Sequence, residues 1–248
     1  MFPILLVTGG SRGIGAATSR LAAARGWDVA INYARNEAAA EAVAQEVRAL
    51  GRRAITLQAD VADDAQVQSM FARLDREFGP LAGLANNAGV VDRSTRFVEM
   101  SPARLQRMFA INVFGTMYCC RQAVQRMSTR LGGAGGAIVN LSSVAAVLGS
   151  PGTYVDYAAA KGAVDSFTIG LGRELATEGV RVNAVRPGII DTEIHADSGD
   201  ARRAHKSAAL IPMQRAGQAA EVAESVLWLL SPQAAYVTAS ILNVSGGR

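Results

Sequence analysis

The sequence predicts an α/β protein: a doubly wound parallel sheet of about seven strands with helices on both faces. Three observations carry this reading. Short apolar runs alternate with helical stretches along the whole chain, which places each run as a strand in a parallel sheet covered on both faces. A glycine cluster separates the first strand from the first helix. No Pro/Ser-rich linker or internal repeat interrupts the alternation, and 248 residues suit one α/β domain spanning 1–248.

In chain order, Ile4–Thr8 reads as a short buried strand, followed by a glycine turn and a helix to about Arg25. Asp28–Tyr33 is the second strand. Glu37–Leu50, with Ala, Val and Leu along one face, is a helix leading to the third strand at Ala54–Gln58. Asp63–Phe78 reads as helical and Leu81–Asn86 as the fourth strand. A long helical region covers roughly Pro102–Arg130, ahead of a fifth strand at Ala137–Leu141. The helix carrying Tyr157 runs to about Thr177 and precedes a strand at Val180–Val185. A last helix near Ala219–Leu230 leads to a strand at Ile241–Val244. Right-handed crossovers make this order a Rossmann-type sheet, in which ligands bind beyond the carboxyl ends of the strands where the winding reverses.

Composition narrows the function classes. Half the residues are hydrophobic and 19% are charged, which describes a globular chain with an ample core. The net charge is +4, but the arginines are scattered between acids, so no nucleic-acid partner is expected. No uninterrupted apolar stretch of ~18 residues exists to span a membrane, and Met1-Phe2-Pro3 runs into a strand without a charged leader. A cytoplasmic location is expected. Cys119 and Cys120 are neighbours in an apolar stretch, where disulfide geometry is rarely reached, so both are expected reduced and packed. His195 and His205 are too few and too far apart to suggest a metal site.

Chemistry concentrates at Tyr157-Ala-Ala-Ala-Lys161. Residues at i and i+4 share a helix face, so phenol and ammonium point the same way. A nearby cation favours phenolate and is expected to lower a pKa of ~10, which equips the pair to move a proton onto or off an oxygen. Only Lys161 and Lys206 are lysines among 25 basic residues. Taken alone, the pair is also compatible with a packed tyrosine and a solvated lysine.

A nucleotide cradle is read in Thr8-Gly9-Gly10-Ser11-Arg12-Gly13-Ile14-Gly15. Glycines let the backbone turn and approach a pyrophosphate, while the helix N-terminus offers N–H donors and a positive dipole end. The spacing Gly9-x-x-x-Gly13-x-Gly15 differs from the commoner GxGxxG. An acid at the end of the second strand would bind the ribose hydroxyls of NAD(H). This chain instead has Asn32-Tyr33-Ala34-Arg35-Asn36, and Arg35 with Arg12 suits a 2′-phosphate through forked, charge-assisted bonds. NADP(H) is therefore expected over NAD(H). Asp60-Val61 is placed against the adenine, with a helix N-cap as the other reading of Asp60.

With these residues assembled, the chain resembles the short-chain dehydrogenase/reductase family over essentially its whole length. The marks occur in order: Thr8-Gly9-x-x-x-Gly13-x-Gly15, Asn86-Asn87-Ala88-Gly89, Asn112, Ser143, Tyr157-x-x-x-Lys161 and Arg186-Pro187-Gly188. The resemblance implies an oxidoreductase interconverting a carbonyl and a secondary alcohol. Tyr157 would give or take the proton, Lys161 would bind the nicotinamide ribose and hold the phenol pKa down, and Ser143 would bond the substrate oxygen. Asn112 would position a water linking Lys161 to solvent. Asn87, Ala88 and Gly89, with Pro187 and Gly188, would line the cofactor cleft, and Ile190 and Thr192 would lie near the carboxamide. Strand alternation turns only one of Ser142 and Ser143 toward the cleft, and the family alignment favours Ser143.

Three alternatives are carried forward. Tyr154 lies seven residues before Lys161, a spacing like that of enoyl reductases in the same superfamily. A catalytically idle, nucleotide-sensing or scaffolding protein could keep the same fold. The segment 191–214 resembles a mobile substrate lid and carries His195, Arg202, Arg203, His205 and Lys206; these suit an anionic carrier on the substrate or simply a solvated face. The resemblance further implies a homotetramer, which the apolar runs Val226–Leu230 and Ile241–Val244 fit as well as they fit a buried core.

Overall fold

In the computed structural model, which describes residues 3–193 and 208–248, the alternating elements form a seven-stranded sheet in which every neighbouring pair is parallel. The first half runs β1 (Ile4–Val7), α1 (Gly13–Ala24), β2 (Asp28–Tyr33), α2 (Glu37–Ala49), β3 (Ala54–Gln58), α3 (Asp64–Glu77) and β4 (Leu81–Asn86). There follow α4 (Pro102–Phe109), α5 (Gly115–Met127), β5 (Gly136–Leu141), the short α6 (Ala145–Leu148), α7 (Val155–Glu174) and β6 (Val180–Pro187). A ribbon of two short strands, β7 (Ile190–Asp191) and β8 (Gly217–Gln218), precedes α8 (Ala219–Leu230) and β9 (Ile241–Val244). Strand order is β3-β2-β1-β4-β5-β6-β9, so the winding reverses between β1 and β4.

Period-two alternation divides each strand between two cores. Leu5, Val7, Val29 and Ile31 pack with Ala22, Val43, Val47 and Val226 on one face. Ile4, Leu6, Leu57 and Leu84 pack with Phe71, Leu74 and Ala123 on the other. Each fully buried Leu or Phe contributes about 2 kcal/mol of transfer free energy. Helix starts follow local chemistry: Asn36 caps α2 through Ala39 N–H (3.0 Å), and Asp63 caps α3 through Ala65 and Gln66 N–H (2.9 and 3.2 Å). Ser101 caps α4, with Pro102 at the first helical position. Only the α1 start among these four lacks a side-chain cap, and its first turn carries no acid.

The long helix expected over Pro102–Arg130 is interrupted. Ala110–Phe114 forms a π turn between α4 and α5, and α5 ends at Met127. Asn112 sits in that turn, and its amide nitrogen donates to the Met108 carbonyl (3.1 Å) and the Val90 carbonyl (3.0 Å). A side chain competing with the backbone ladder for its acceptors is a recognised cause of such widening. The α7 helix likewise stops at Glu174, before Thr177, while β6 extends two residues past Val185 to Pro187.

Where the winding reverses, a hydrogen-bonded clasp closes the crevice. The Thr8 hydroxyl donates to Asn86 Oδ1 (3.2 Å) and accepts from the N–H of Asn87 and Ala88 (2.9 and 3.0 Å). The Asn87 amide returns to the carbonyls of Thr8 and Gly9 (2.9 and 3.1 Å). Asn32 ties the same loop to β2 and β3 by accepting from Gly9 N–H (3.2 Å) and donating to the carbonyls of Leu57 and Ala59, each at 3.1 Å. From Asn86 the network continues to Asn140 (3.3 Å) and from Asn140 to Thr168 on α7 (2.9 Å). Both cysteines are free and buried, and burial raises both thiols well above their ordinary pKa.

Thr8→Val keeps the shape of the side chain but takes the Thr8 hydroxyl from the N–H groups of Asn87 and Ala88, of which Asn87 keeps the Ala85 carbonyl (3.1 Å). Its expected cost is about 2 kcal/mol of unfolding free energy, read as a lower urea midpoint at unchanged m-value.

Candidate active site

Beyond the carboxyl ends of β1, β4, β5 and β6 lies a cavity of about 180 Å³. Ile14 after β1, Asn87 and Gly89 after β4, and Ser142 and Ser143 after β5 contribute to its wall. So do Tyr157 and Lys161 of α7, and Pro187, Gly188, Ile190 and Thr192 at and after β6.

One turn of α7 sets Tyr157 and Lys161 on the same face, with Lys161 Nζ 5.6 Å from the centre of the Tyr157 ring. Lys161 is 3% exposed, and its ammonium donates to the Leu141 carbonyl at 2.7 Å. The two serines separate at the end of β5. Ser142 Oγ donates to the Lys161 carbonyl (3.2 Å), whereas the Ser143 hydroxyl hydrogen-bonds the Tyr157 phenol and accepts from Ala145 N–H at 3.1 Å.

The expected depression of the phenol pKa is reversed. Packing around the group pushes it up to about 12, because burial disfavours phenolate; the Ser143 hydrogen bond works the other way and recovers part of the shift. Burial pushes Lys161 down to about 8, opposed by the carboxylate of Asp165 one turn further along α7. At neutral pH the site therefore presents a protonated phenol, a hydroxyl donor and an ammonium around one cavity. That arrangement can donate a proton to an oxygen and stabilise negative charge on it.

The glycine loop makes a cradle beside this cavity. A Cβ on Gly15 would meet the Gly9 carbonyl oxygen at 2.3 Å, so only glycine fits there. The uncapped first turn of α1 leaves its N–H groups and positive dipole end without an acidic partner of its own. Arg12 and Arg35 are exposed, at the start of α1 and just past the end of β2. A backbone cradle of this kind fits a dinucleotide, with the pyrophosphate at the α1 N-terminus.

Other expected residues occupy varied places. Asp60 accepts from Ala62 N–H (3.0 Å) in the turn ahead of α3, whose cap is Asp63, so the N-cap reading of Asp60 does not hold. Val61 is 5% exposed and packs on Gly115. Asn112 is fully buried behind Gly89 of the wall, where its side chain brackets Val90, donating to the carbonyl at 3.0 Å and accepting from the N–H at 3.2 Å. A Cβ on Gly89 would meet Asn112 Oδ1 at 2.8 Å and Lys161 Nζ at 3.4 Å, so Gly89 is what lets Asn112 and Lys161 approach from two sides. The residues His195, Arg202, Arg203, His205 and Lys206 of the lid segment lie outside the described residues.

Sequence reasoning missed Asp165, Arg104, Asp156 and Arg248, and gave Arg186 no ion-pair partner. Arg186 bonds Asp165 through Nε and Nη2 (2.8 and 2.7 Å), and Asp165 is the carboxylate facing Lys161; its i+4 spacing from Lys161 was a readable signal. Arg104 forks onto Asp156, next to Tyr157, and nothing in the spacing announces a partner on a different helix. Arg248 lines the cavity wall without any motif to mark it.

The chain is similar to known proteins along nearly all of its length. Residues 9–248 match the protein family described as enoyl-(acyl carrier protein) reductase. An uncharacterized oxidoreductase of Escherichia coli K12, YgfF, is 51% identical over 99% of both chains. A 3-oxoacyl-[acyl-carrier-protein] reductase of Synechocystis is 40% identical, over 98% of this chain and 96% of the relative. Among solved structures, a short chain dehydrogenase from Burkholderia cenocepacia in complex with NADP superposes with a TM-score of 0.90 at 34% identity, over 99% of this chain and 97% of that one.

The depressed Lys161 pKa has a consequence for stability. The unfolded chain holds this proton up to about pH 10.5 and the folded chain only to about 8, so the burial penalty is full below pH 8 and is relieved as pH rises toward 10.5. Thermal unfolding at pH 7 and pH 10 should show wild type gaining on Lys161→Met across this interval.

Proposed function

This chain belongs to the short-chain dehydrogenase/reductase family, and we propose that within this family of oxidoreductases it interconverts a carbonyl and a secondary alcohol with NADP(H). The observation that carries the proposal is the meeting of Tyr157, Ser143 and Lys161 on one cavity beside the glycine cradle.

The residues divide the work. Gly9, Ser11, Gly13, Ile14 and Gly15 would hold the pyrophosphate of the cofactor at the α1 N-terminus, and Asn87, Ala88, Gly89, Pro187, Gly188, Ile190 and Thr192 its nicotinamide half. Arg12 and Arg35 would take the 2′-phosphate. The bound cofactor supplies the hydride. Ser143 donates to the substrate oxygen, and Tyr157 gives that oxygen its proton in reduction or removes it in oxidation. Lys161 keeps a positive charge close to the phenol, so that phenolate left after proton transfer is stabilised. Because reduction consumes the protonated phenol and leaves a phenolate that the Lys161 charge stabilises, its rate should be flat at neutral pH, fall as pH rises past about 8 where Lys161 loses its proton, and fall again through the phenol pKa.

Support for NADP(H) is the pair of exposed arginines with no acid among Ala34-Arg35-Asn36, together with the NADP held by the Burkholderia relative. The activity named for the Synechocystis relative makes a 3-oxoacyl thioester one candidate substrate, beside sugars, cyclic ketones and other small carbonyls. A homotetramer is part of the proposal: Trp228, Leu242 and the fully exposed Tyr236 offer apolar surface near α8 and β9. So is a cytoplasmic location, which suits two free cysteines.

A second reading, enoyl reduction through Tyr154, has one observation in its favour, since Tyr154 lines the same cavity. NADPH oxidation against 3-oxoacyl and enoyl thioesters, an α-diketone and a cyclic ketone separates the two. Tyr157→Phe should cut ketone turnover by about 10³-fold, while Tyr154→Phe leaves it at the same order; the reverse pattern with an enoyl substrate would select Tyr154. Tight NADPH binding without turnover of any compound would favour an idle sensor.

Arg35→Ala should weaken NADPH by about tenfold or more, the value of a charge-assisted bond, with little change for NADH. Fluorescence titration of both cofactors checks this, and equal losses for the two would sink the 2′-phosphate assignment.

A further inference from the structure

Tyr157 is the third residue of α7, and the first turn of that helix has no cap of its own, since Tyr154 at the N-cap position makes no side-chain capping bond. Its anchor comes from a different element. Arg104 on α4 forks onto Asp156, with Nε to Oδ2 at 2.8 Å and Nη2 to Oδ1 at 3.2 Å. The two side chains are 9% and 0% exposed. The remaining nitrogen, Nη1, donates to the Arg93 carbonyl at 2.7 Å, and Thr95 N–H donates to the Thr153 carbonyl at 3.1 Å just ahead of α7.

One guanidinium thus joins the residue next to Tyr157 to the segment that follows Gly89 and Val91 of the cavity wall. Asn112 already holds that segment at Val90. The carboxylate of Asp156 also sits in the first turn, where the helix dipole favours negative charge. A planar fork fixes both distance and rotation, which a lysine ammonium cannot do.

We propose that Arg104 is a positioning residue for the reaction: through Asp156 it holds the first turn of α7 so that the Tyr157 phenol stays against Ser143 and the substrate oxygen. The inference rests on the carbonyl reading of Tyr157. A misplacement of about 1 Å at a reacting group costs on the order of 10²-fold in rate, while the cofactor cradle at the α1 N-terminus is built by residues the fork does not touch.

The test compares wild type with Arg104→Met, Arg104→Lys and the double variant Arg104→Met/Asp156→Leu, in which no charge is left buried without its partner. Arg104→Met should lose about 100-fold in kcat with NADPH affinity and the carbonyl KM close to wild type, and Arg104→Lys should recover part of kcat. The double variant, folded and binding NADPH, should remain slow. Wild-type kcat in any folded variant lacking the fork would overturn the proposal, as would a loss of kcat matched by an equal loss of NADPH affinity. Hydrogen exchange gives a reading independent of turnover: amides of Tyr157–Lys161 should exchange faster in Arg104→Met than the rest of α7. If wild type reduces no carbonyl, the carbonyl reading fails, and the exchange pattern decides the positional claim by itself; uniform exchange in both proteins rejects it.

Discussion

One hydroxyl holds the cleft together. The reversal of winding between β1 and β4 leaves their carboxyl ends diverging into separate loops, and a crevice of that kind binds a ligand only if its two lips keep a fixed spacing. Thr8 supplies the fixed point, with three hydrogen bonds to the lip formed by Asn86, Asn87 and Ala88. The return bonds from the Asn87 amide make the contact a closed ring rather than a single tether. Because the ring lies at the head of a buried polar chain through Asn86 and Asn140 to Thr168, the glycine loop and the Tyr157 helix are referenced to the same set of strands. Buried networks of this type reward full satisfaction and penalise any missing partner.

That rigidity bears on the electrostatics of the site. Tyr157 and Lys161 are both driven toward their neutral forms by burial, from opposite directions. A flexible wall would relax and admit water, and the shifts would shrink. Asp165, held by Arg186, offsets part of the penalty on Lys161, so the ammonium keeps its charge near neutral pH while remaining in the wall. The Leu141 carbonyl fixes its direction.

Much of this arrangement was legible in the sequence because it depends on local rules. All seven strands of the main sheet announced themselves as short apolar runs, and the glycine loop, the Tyr–Lys spacing and the Arg186-Pro187-Gly188 turn all fall at strand ends or on one helix face. What stayed hidden is tertiary. The π turn at Asn112 arises from side-chain bonds to Val90 and Met108, and hydrophobic periodicity over Pro102–Arg130 does not register them. The direction of the Tyr157 shift depends on how tightly the wall closes, which residue spacing leaves open. Arg104 and Asp156 stand 52 positions apart on elements whose meeting is set only by the finished fold.

The two internal ion pairs near Tyr157 and Lys161 point to a common logic. Arg104–Asp156 holds the first turn of α7, and Arg186–Asp165 holds the turn after Lys161. Neither is a good way to gain stability, since withdrawing two charges from water offsets most of their attraction, and apolar replacements of similar volume often do as well. Their distinguishing property is geometry: the Arg104 guanidinium donates to both oxygens of Asp156 as a planar fork, and the Arg186 guanidinium holds Asp165 through two nitrogens on Oδ2. Placed on either side of a tyrosine and a lysine that face the same small cavity, such contacts limit the translation and rotation left to the helix that carries them. Net stability is then a poor measure of what these pairs contribute, and the placement of the Tyr157 phenol against Ser143 is the better one.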